Sequence, residues 1–569
     1  GTHVDYLYDA RGNLTSATDA TGTTTLSYDA HDYLTRIDYP GRGGRWLGYT
    51  YESGGRRATS TDQLGHQLSY QFDAVGRLSR ITDETSAQVV LYAYDAAGRI
   101  ALKTLGNGVY TTYDYDAAGQ LLHLVNHKSD ATVLSRFDYT YDSRGRRIGM
   151  GTLDGAWTYS YDDIGQLTHA VFASTNPAIP DQDLLYVYDA MGNRIRTVEN
   201  GVTTAYTTNN LNQYTQVGNT TYAFDADGNL ISETSPSGTV LYSYDDENRL
   251  IAVQQGGDAW AYTYDAFSQR VAASHNGNAM HYTIDPVGLG NVVGEYDAAG
   301  SMIAGYNYGF GLLSRTAGGA SAWYTFDALG NTSELTGAVG NVLNTYSHSP
   351  FGAVLRQTSG VQNPFQFAGE WGIQAEANGL MFMRNRYYQV DAGRFISRDP
   401  LGYVDGPNSY SYVGNDPVEG VDPLGFKGVV MVSSGTGPPG SGEWTWWEDS
   451  DGHWHACHSG AKPGQPLWIY ARPDRTWVTL TDHNPSMKQS DDHGPGKPTH
   501  NEFPNEPEND PTGRYCAPSK HPATPTTPPI NPKGGGASGT AGSGDPNQNL
   551  GPAGFGTAGY ISPSITLPY

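Results

Sequence analysis

Pairs of tyrosines, spaced two residues apart, come just before recurring aspartates along the first two thirds of the chain. Tyr92 and Tyr94 precede Asp95, with the small residue Ala93 between the two rings. A period of two places both rings on one face of a β-strand. The pattern therefore predicts many short strands rather than helices. The same spacing recurs at Tyr113 and Tyr115, Tyr159 and Tyr161, Tyr186 and Tyr188, Tyr242 and Tyr244, and Tyr262 and Tyr264.

A seven-residue unit begins at the second aromatic residue of each pair. It consists of that aromatic residue, Asp, two variable residues, Gly, a polar residue, then often Leu or Ile. One copy runs from Phe72 to Leu78, and its Asp73 is followed by Asp95 and Asp116 at steps of 22 and 21 residues. Asp suits the first position of a type I turn, and Gly three residues later can take positive φ and form a bulge. The unit predicts a hairpin, and repeated hairpins are expected to stack into one long sheet. Further aromatic-Asp pairs stand at Tyr8-Asp9, Tyr141-Asp142, Tyr161-Asp162, Tyr188-Asp189, Phe224-Asp225, Tyr244-Asp245, Tyr264-Asp265 and Phe326-Asp327.

Composition supports a folded β protein. The 569 residues include 72 Gly, 41 Tyr and 15 Phe, and only 16% are charged. Low charge with many aromatics argues against general disorder. The net charge of −24 makes the chain as a whole a poor binder of nucleic acid. No run of about 18 apolar residues is present, which excludes a transmembrane helix, and two cysteines cannot form a disulfide framework.

The repeat pattern changes near residue 340 and gives way to different motifs. The new stretch contains Asn363-Pro364-Phe365 and Arg384-Asn385-Arg386-Tyr387-Tyr388. It ends with two copies of Asp-Pro-Leu-Gly, at 399–402 and 422–425, whose aspartates are 23 positions apart. Asp-Pro and Pro-x-Gly are turn dipeptides, so the two aspartates need no catalytic explanation on spacing alone.

These repeats and closing motifs resemble the YD repeats and the Rhs-associated core of the Rhs family, which is related to toxin-complex C components and teneurins. The resemblance covers roughly residues 5–425 and implies a mainly β fold, in which hairpins stack in a spiralling sheet around a hollow interior. We predict a repeat shell over 1–340 and an Rhs-associated core over 341–426. A variable effector domain of small α+β or β type is expected over 427–520, and a disordered Pro/Gly-rich tail over 521–569.

In that family, the resemblance implies, the paired Asp-Pro-Leu-Gly aspartates form an intramolecular aspartyl protease. Asp399 and Asp422 are the matching residues, with Arg398 beside them, and the matching cut lies between Phe426 and Lys427. Two carboxylates held close share a proton, so one can activate water while the other polarises the carbonyl. Two rival carboxylates in the same window, each outside an Asp-Pro-Leu-Gly motif, are Asp405 and Asp416.

Composition shifts at the predicted cut. Residues 427–569 hold 21 of the 32 prolines and both cysteines. Four metal-capable side chains crowd together there, which favours either a zinc or other divalent-metal site or ordinary surface histidines. They are His453, His455, Cys457 and His458. No cofactor is predicted for the shell.

A second histidine set in the tail, His483, His493 and His500, is compatible with a His-dependent nuclease or another hydrolase. The net charge of this segment is about −4, and a nuclease usually needs a positive face for phosphates. The substrate class of the effector therefore stays open.

Three hypotheses for function remain. The first is a polymorphic toxin of interbacterial competition, secreted or delivered by a secretion system, whose shell encloses an effector and whose partners include an immunity protein. The second is a cell-surface or wall-associated protein that binds carbohydrate on rows of tyrosines, without protease activity. The third is a toxin-complex C-type subunit that needs a partner to close its shell. The chain starts at Gly1 in mid-pattern, so we interpret it as a piece of a longer protein.

Overall fold

The structure is a computed structural model that describes residues 3–39, 44–403 and 406–426 with their side chains. Beyond residue 426 it describes the backbones of five short strands. These are Val429–Val430, Trp444–Glu448, Trp454–His458, Leu467–Ala471 and Thr476–Leu480.

Residues 5–359 form one antiparallel sheet of 34 described strands, in which each strand pairs with the next along the chain. Within the described residues no pairing joins the first strand to the last, so the sheet is not closed into a barrel. The strands are β1 Asp5–Tyr8, β2 Leu14–Asp19, β3 Gly22–Tyr28, β4 Leu34–Tyr39, β5 Arg45–Tyr51, β6 Arg57–Asp62, β7 Gln67–Phe72, β8 Leu78–Thr82, β9 Gln88–Tyr94, β10 Ile100–Leu105, β11 Tyr110–Tyr115, β12 Leu121–His127, β13 Val133–Tyr141, β14 Arg147–Thr152, β15 Gly155–Tyr161, β16 Leu167–Ser174, β17 Gln182–Tyr188, β18 Arg194–Glu199, β19 Val202–Thr208, β20 Tyr214–Val217, β21 Thr220–Phe224, β22 Leu230–Ser235, β23 Gly238–Tyr244, β24 Leu250–Gln255, β25 Asp258–Tyr264, β26 Arg270–His275, β27 Asn278–Asp285, β28 Asn291–Asp297, β29 Met302–Tyr308, β30 Leu312–Ala317, β31 Ala320–Phe326, β32 Thr332–Thr336, β33 Val342–His348 and β34 Val354–Ser359.

The repeated unit forms the hairpin that its sequence predicts. In the turn between β7 and β8, Asp73 Oδ1 accepts the amide hydrogens of Val75 at 3.0 Å and Arg77 at 2.9 Å. Gly76 has φ +88° and donates to the Asp73 carbonyl at 3.0 Å. The pairing register shifts beside Phe72, which is the predicted bulge. The mainly β fold class is thereby confirmed.

The last tyrosine of most pairs donates a hydrogen bond to the backbone. Tyr94 Oη donates to the carbonyl of Leu78 at 2.5 Å, joining the end of β9 to the start of β8. The ring is half-buried while its hydroxyl satisfies a backbone acceptor, which a phenylalanine cannot do. The same bond recurs in six further hairpins of the described sheet: Tyr51–Leu34, Tyr115–Ile100, Tyr141–Leu121, Tyr161–Arg147, Tyr188–Leu167 and Tyr264–Leu250.

Early strands of the sheet pack face to face against late ones. Tyr39 Oη, on β4, donates to the carbonyl of Ile284 on β27 at 2.6 Å. Arg57, on β6, forms a buried ion pair with Asp285 at 2.8 Å. Farther along, Asn126 donates to the Phe326 carbonyl at 3.1 Å. Side chains therefore fill the space between these two parts of the sheet.

Residues 363–426, here named the closing segment, pack against the repeat strands. They contain a small antiparallel sheet and two 3-10 turns, Gly369–Trp371 and Val413–Asn415. Its strands are β35 Gln374–Ala375, β36 Leu380–Met383, β37 Arg386–Gln389 and β38 Arg394–Phe395. The predicted boundary at 340 lies between β32 and β33, and the meander continues to Ser359 before this segment begins.

The closing segment is tied to the sheet by buried polar contacts. Arg270, on β26, contacts Glu376 at 2.6 Å, and Arg394 donates to Asn193 at 2.9 Å. At its end, β39 (Gly420–Val421) pairs antiparallel with β40 (Val429–Val430). The predicted cut between 426 and 427 therefore falls in the loop that joins two paired strands.

The four remaining strands lie in a separate unit and form two antiparallel hairpins. In the first, β41 (Trp444–Glu448) pairs with β42 (Trp454–His458). In the second, β43 (Leu467–Ala471) pairs with β44 (Thr476–Leu480). The predicted tail 521–569 lies outside the described residues. Across the part of the chain that is described, no helix has the length and apolar character needed to cross a membrane.

Candidate catalytic site

Asp399 and Asp422 converge on a single nitrogen atom of Arg386. Arg386 Nη2 lies 3.0 Å from Asp399 Oδ2 and 3.2 Å from Asp422 Oδ2. The two carboxylate oxygens are therefore within about 6 Å of one another. All three side chains are buried, with exposed fractions of 4%, 1% and 2% for Asp399, Asp422 and Arg386. The structure thus brings together the two aspartates that the sequence singled out.

Each aspartate is fixed by the turn that its own motif forms. Asp399 Oδ1 accepts the amide hydrogen of Leu401 at 2.8 Å, and Asp422 Oδ1 accepts that of Phe426 at 3.1 Å. These are the local bonds that Asp makes in turns. Each turn thus uses one carboxylate oxygen for its own backbone and points the other at Arg386.

Arg386 begins β37 and is held on several sides. Its Nη1 donates to the Ser409 carbonyl at 3.0 Å, and its Nε donates to the carbonyl of Gly425. The guanidinium carbon lies 3.6 Å from the centroid of the Phe395 ring, which is a cation–π contact. A guanidinium so fixed is pre-organised for two carboxylates, since its planar fork loses little freedom on binding.

Arg398, which the sequence places next to Asp399, lies elsewhere. Its side chain is exposed, and a Cβ added to Gly228 in a repeat turn would stand 2.3 Å from Arg398 Cδ. The sequence analysis missed Arg386, which lies 13 and 36 positions before the two aspartates. Its place in the Arg384-to-Tyr388 motif, among apolar and aromatic residues, was the available signal.

Of the two rival carboxylates, Asp416 is described and does not contact Arg386. Asp416 is half-buried near Glu419, and desolvation raises the pKa of both carboxyl groups. Arg147 lowers both pKa values in part, and its backbone nitrogen donates to Glu419. Asp405 lies outside the described residues.

Several predicted sites fall where side chains are not described. Lys427, His453, His483, His493 and His500 lie outside the described residues. The strand Trp454–His458 carries His455, Cys457 and His458, and only its backbone is described. Among the residues whose side chains are described, no three His, Cys, Asp or Glu residues are grouped as a metal site requires.

Comparison with known families identifies the repeat sheet. The Teneurin YD-shell family model matches residues 4–156 and 154–418. Among solved structures, the crystal structure of TcdB2-TccC3-Cdc42 superposes with a TM-score of 0.64 at 18% identity, over 74% of this chain and 25% of that chain. The TcdB2-TccC3-TEV structure gives 0.63 at 20% identity, over the same 74% and 25%. These likenesses concern the fold.

Curated relatives share parts of the sequence. The tRNA3(Ser)-specific nuclease WapA of Bacillus spizizenii is 31% identical over 154 residues, 26% of this chain and 6% of that protein. Double-stranded DNA deaminase toxin A of Burkholderia cenocepacia is 34% identical over 19% of this chain and 8% of its own length. Toxin protein Tse5 of Pseudomonas aeruginosa is 33% identical over 20% and 8%. The matches thus span less than a tenth of each of these relatives.

Proposed function

This chain belongs to the Teneurin YD-shell family, and we propose that it forms the shell of a delivered toxin. We further propose that it cuts itself between Phe426 and Lys427. Asp399 and Asp422 are the catalytic pair, and residues 427–569 are the effector that the cut frees. The observation that carries this proposal is the contact of one Arg386 nitrogen with both buried carboxylates.

The charges of this group favour a shared proton. Two ionised carboxylates held by one guanidinium nitrogen repel each other in a buried site, so the pair favours binding one proton. One proton bound by the pair makes Arg386, Asp399 and Asp422 neutral together. That state has one carboxylate to accept a proton and one carboxylic acid to donate one, as aspartyl proteolysis needs.

The proposed step is hydrolysis of the Phe426–Lys427 peptide bond. The ionised carboxylate takes a proton from water while the oxygen of that water attacks the Phe426 carbonyl carbon. The protonated carboxyl group gives its proton to the carbonyl oxygen. Collapse of the tetrahedral intermediate breaks the C–N bond. The carboxyl group that took the proton from water gives it to the leaving Lys427 nitrogen, and a hydroxyl of the intermediate returns a proton to the other carboxylate. Asp422 is well situated for this step, because its Oδ1 already accepts the amide hydrogen of Phe426.

The place of the cut supports release of a cargo. It lies in the loop between β39 and β40, at the point where the composition changes. Relatives named as a nuclease, a DNA deaminase toxin and a toxin protein support the proposal that the segment after the cut is a toxic effector. We extend the proposal to enclosure of that effector by the shell, delivery by a secretion system and neutralisation by an immunity protein.

The carbohydrate alternative depends on rows of exposed tyrosines. In five of the six pairs the first tyrosine is instead buried, with 4% exposure at Tyr92 and 4% at Tyr262. The second donates its hydroxyl to the backbone in seven hairpins. The tyrosines therefore act in packing, and no observation favours this alternative.

Mass spectrometry of four chains tests the proposed function: the wild type, Asp399→Asn, Asp422→Asn and Asp416→Asn. Asp416 also precedes a proline and is half-buried, so it is a control outside the site. We expect the wild type and Asp416→Asn to split into residues 1–426 and 427–569, and the other two to stay whole at 61.4 kDa. A folded wild-type chain that stays whole refutes the protease.

A further inference from the structure

Three consecutive residues, 384–386, donate hydrogen bonds to three consecutive carbonyl groups just before the predicted cut. Arg384 Nη1 donates to the carbonyl of Pro423. Asn385 Nδ2 donates to that of Leu424 at 2.8 Å, and its backbone nitrogen donates to the same oxygen at 3.2 Å. Arg386 Nε donates to the carbonyl of Gly425. We name residues 384–386 the carbonyl clamp.

We propose that the carbonyl clamp selects the peptide bond that is cut, by fixing the register of residues 423–425 on the two aspartates. This inference rests on the proposed self-cleavage and adds its specificity. Arg384 and Asn385 act as positioning residues, since they donate hydrogen bonds to the backbone carbonyls of Pro423 and Leu424.

The shape of the clamp argues for a dedicated role. Arg384 and Asn385 form the tight turn between β36 and β37, whose ends pair at Met383 and Arg386. Arg384 has φ +54°, a left-handed conformation that glycine or asparagine adopts more readily. A residue held in such a conformation against its preference is often retained for function. Here the strained position supplies the guanidinium that reaches the Pro423 carbonyl.

Arg384 is held in place from a second side. Its Nη2 donates to Asn291 Oδ1 at 2.8 Å, on the repeat sheet. Desolvation lowers the pKa of its guanidinium to about 10, which still leaves the group charged at neutral pH. The clamp is therefore braced against the sheet and does not depend on the cut segment for its position.

Glycine at position 425 is a steric requirement of the clamp. Gly425 has φ +68°, and a Cβ there would stand 2.4 Å from the Met383 carbonyl oxygen and 2.9 Å from the Arg386 nitrogen. Any side chain would push the segment off the clamp. By contrast, the clamp binds Pro423 and Leu424 through their carbonyls, so it recognises backbone at those two positions.

The fixed register ends at the residue to be cut. The clamp holds the carbonyls of 423–425, and Asp422 Oδ1 holds the Phe426 amide at 3.1 Å. The first carbonyl after this held stretch belongs to Phe426. A segment shifted by one residue would offer a different peptide bond to the same pair of aspartates.

The test compares Asn385→Asp, Arg384→Met and Arg384→Lys with a matched control, Arg394→Met. Arg394 is another buried arginine of the closing segment, and it donates to the Asn212 carbonyl at 2.7 Å. Each chain is made by cell-free synthesis, and the cleaved fraction is followed with time. Mass spectrometry of the released fragment then gives its first residue, and thermal unfolding reports stability.

We expect Asn385→Asp and Arg384→Met to cleave about tenfold more slowly and to release fragments that begin at several residues around 427. Arg384→Lys restores much of the accuracy because it keeps a donor. Arg394→Met loses stability without moving the cut.

If the clamp variants cleave at the wild-type rate and release a fragment that begins only at Lys427, the clamp is overturned and the protease is not. The clamp is also overturned if these variants cleave slowly only in proportion to their lost stability, as Arg394→Met does, and the cut does not move. A wild-type chain that never cleaves overturns the protease and the clamp together.

Discussion

Asp422 accepts the amide hydrogen of Phe426 through Oδ1 at 3.1 Å, so a buried carboxylate touches the residue whose carbonyl the sequence predicts to be attacked. The other oxygen of Asp422 faces Arg386 Nη2 at 3.2 Å. One aspartate thus links the cut segment to the charged group that holds its partner Asp399. Arg386 contacts both aspartates, whereas Arg398 only precedes Asp399 in the chain, so their roles can be separated by experiment.

Replacing Arg386 with methionine is expected to abolish self-cleavage and to lower stability. It leaves two buried carboxylates without their shared cation, a loss that typically costs about 3–5 kcal/mol. Cleavage and thermal unfolding of Arg386→Met are to be measured beside Arg398→Met. Since Arg398 is exposed, we expect that variant to unfold near the wild-type temperature and keep most of its cleavage rate. Loss of cleavage only in Arg398→Met would assign the charge-compensating role to Arg398.

Pairing across the cut is expected to speed cleavage. Gly420 and Val421 pair with Val430 and Val429, which closes the loop that contains the predicted bond. Val430→Pro removes an amide hydrogen from this ladder and disfavours the pairing. We predict cleavage up to about tenfold slower in a time course after synthesis. Val432→Pro, in the same segment beyond the described pairing, is the control, and equal rates in both variants would contradict the prediction.

The tyrosine-to-carbonyl bonds are expected to contribute measurably to the stability of the sheet. Tyr94→Phe removes the bond to the Leu78 carbonyl and leaves a half-buried acceptor unpaired, at a cost of about 1 kcal/mol. Its unfolding midpoint in urea should fall below that of the wild type. Tyr8→Phe, at the same hairpin position but exposed, should change the midpoint little. If the two variants unfold together, these bonds carry no net stability.

Glu295 is expected to make stability depend on pH. Burial on β28 raises the pKa of its carboxyl group to about 7, above the ordinary value of 4.5. The folded chain therefore holds this proton more tightly than the unfolded chain. That stabilisation is complete below pH 4.5 and is lost as the pH rises through 7, by up to about 3 kcal/mol.

Glu295→Gln should accordingly unfold at a higher urea concentration than the wild type at pH 8, with a smaller difference at pH 5. Exposed Glu84 provides the control substitution Glu84→Gln, which should track the wild type at both values. If the difference in stability between Glu295→Gln and the wild type is no larger at pH 8 than at pH 5, the raised pKa of Glu295 is contradicted.

The hairpins were predictable where the turn carries glycine, because Asp and Gly together determine the local backbone. The sequence pattern was weaker at turns where another residue takes positive φ at the glycine position. Asn248 at φ +61° and Ser268 at φ +57° are two such turns. At these two turns the pairing of the flanking strands constrains the backbone, because the local sequence lacks the glycine that would do so.

A further feature escaped the repeat pattern. Arg147 and Arg270 stand where most units have Leu or Ile, and both are buried against the closing segment. Each marks a contact with residues more than 100 positions away, which no short window can detect. Distance along the chain also hid Arg386, which lies 13 positions before Asp399. Arg398 is next to Asp399 in the chain, but the side chains of neighbouring residues can point in opposite directions. Asp399 is buried while Arg398 faces outward.

We propose that Asp399 and Asp422 of one chain cut that same chain. The most direct measurement is intact mass against time for the wild type at two protein concentrations, with whole Asp422→Asn chain added as a labelled substrate. We expect one fragment that ends at Phe426 and one that begins at Lys427, formed at a rate independent of concentration, while the labelled Asp422→Asn chain stays at 61.4 kDa. Cleavage of the labelled chain, or a wild type that remains whole, would contradict this proposal.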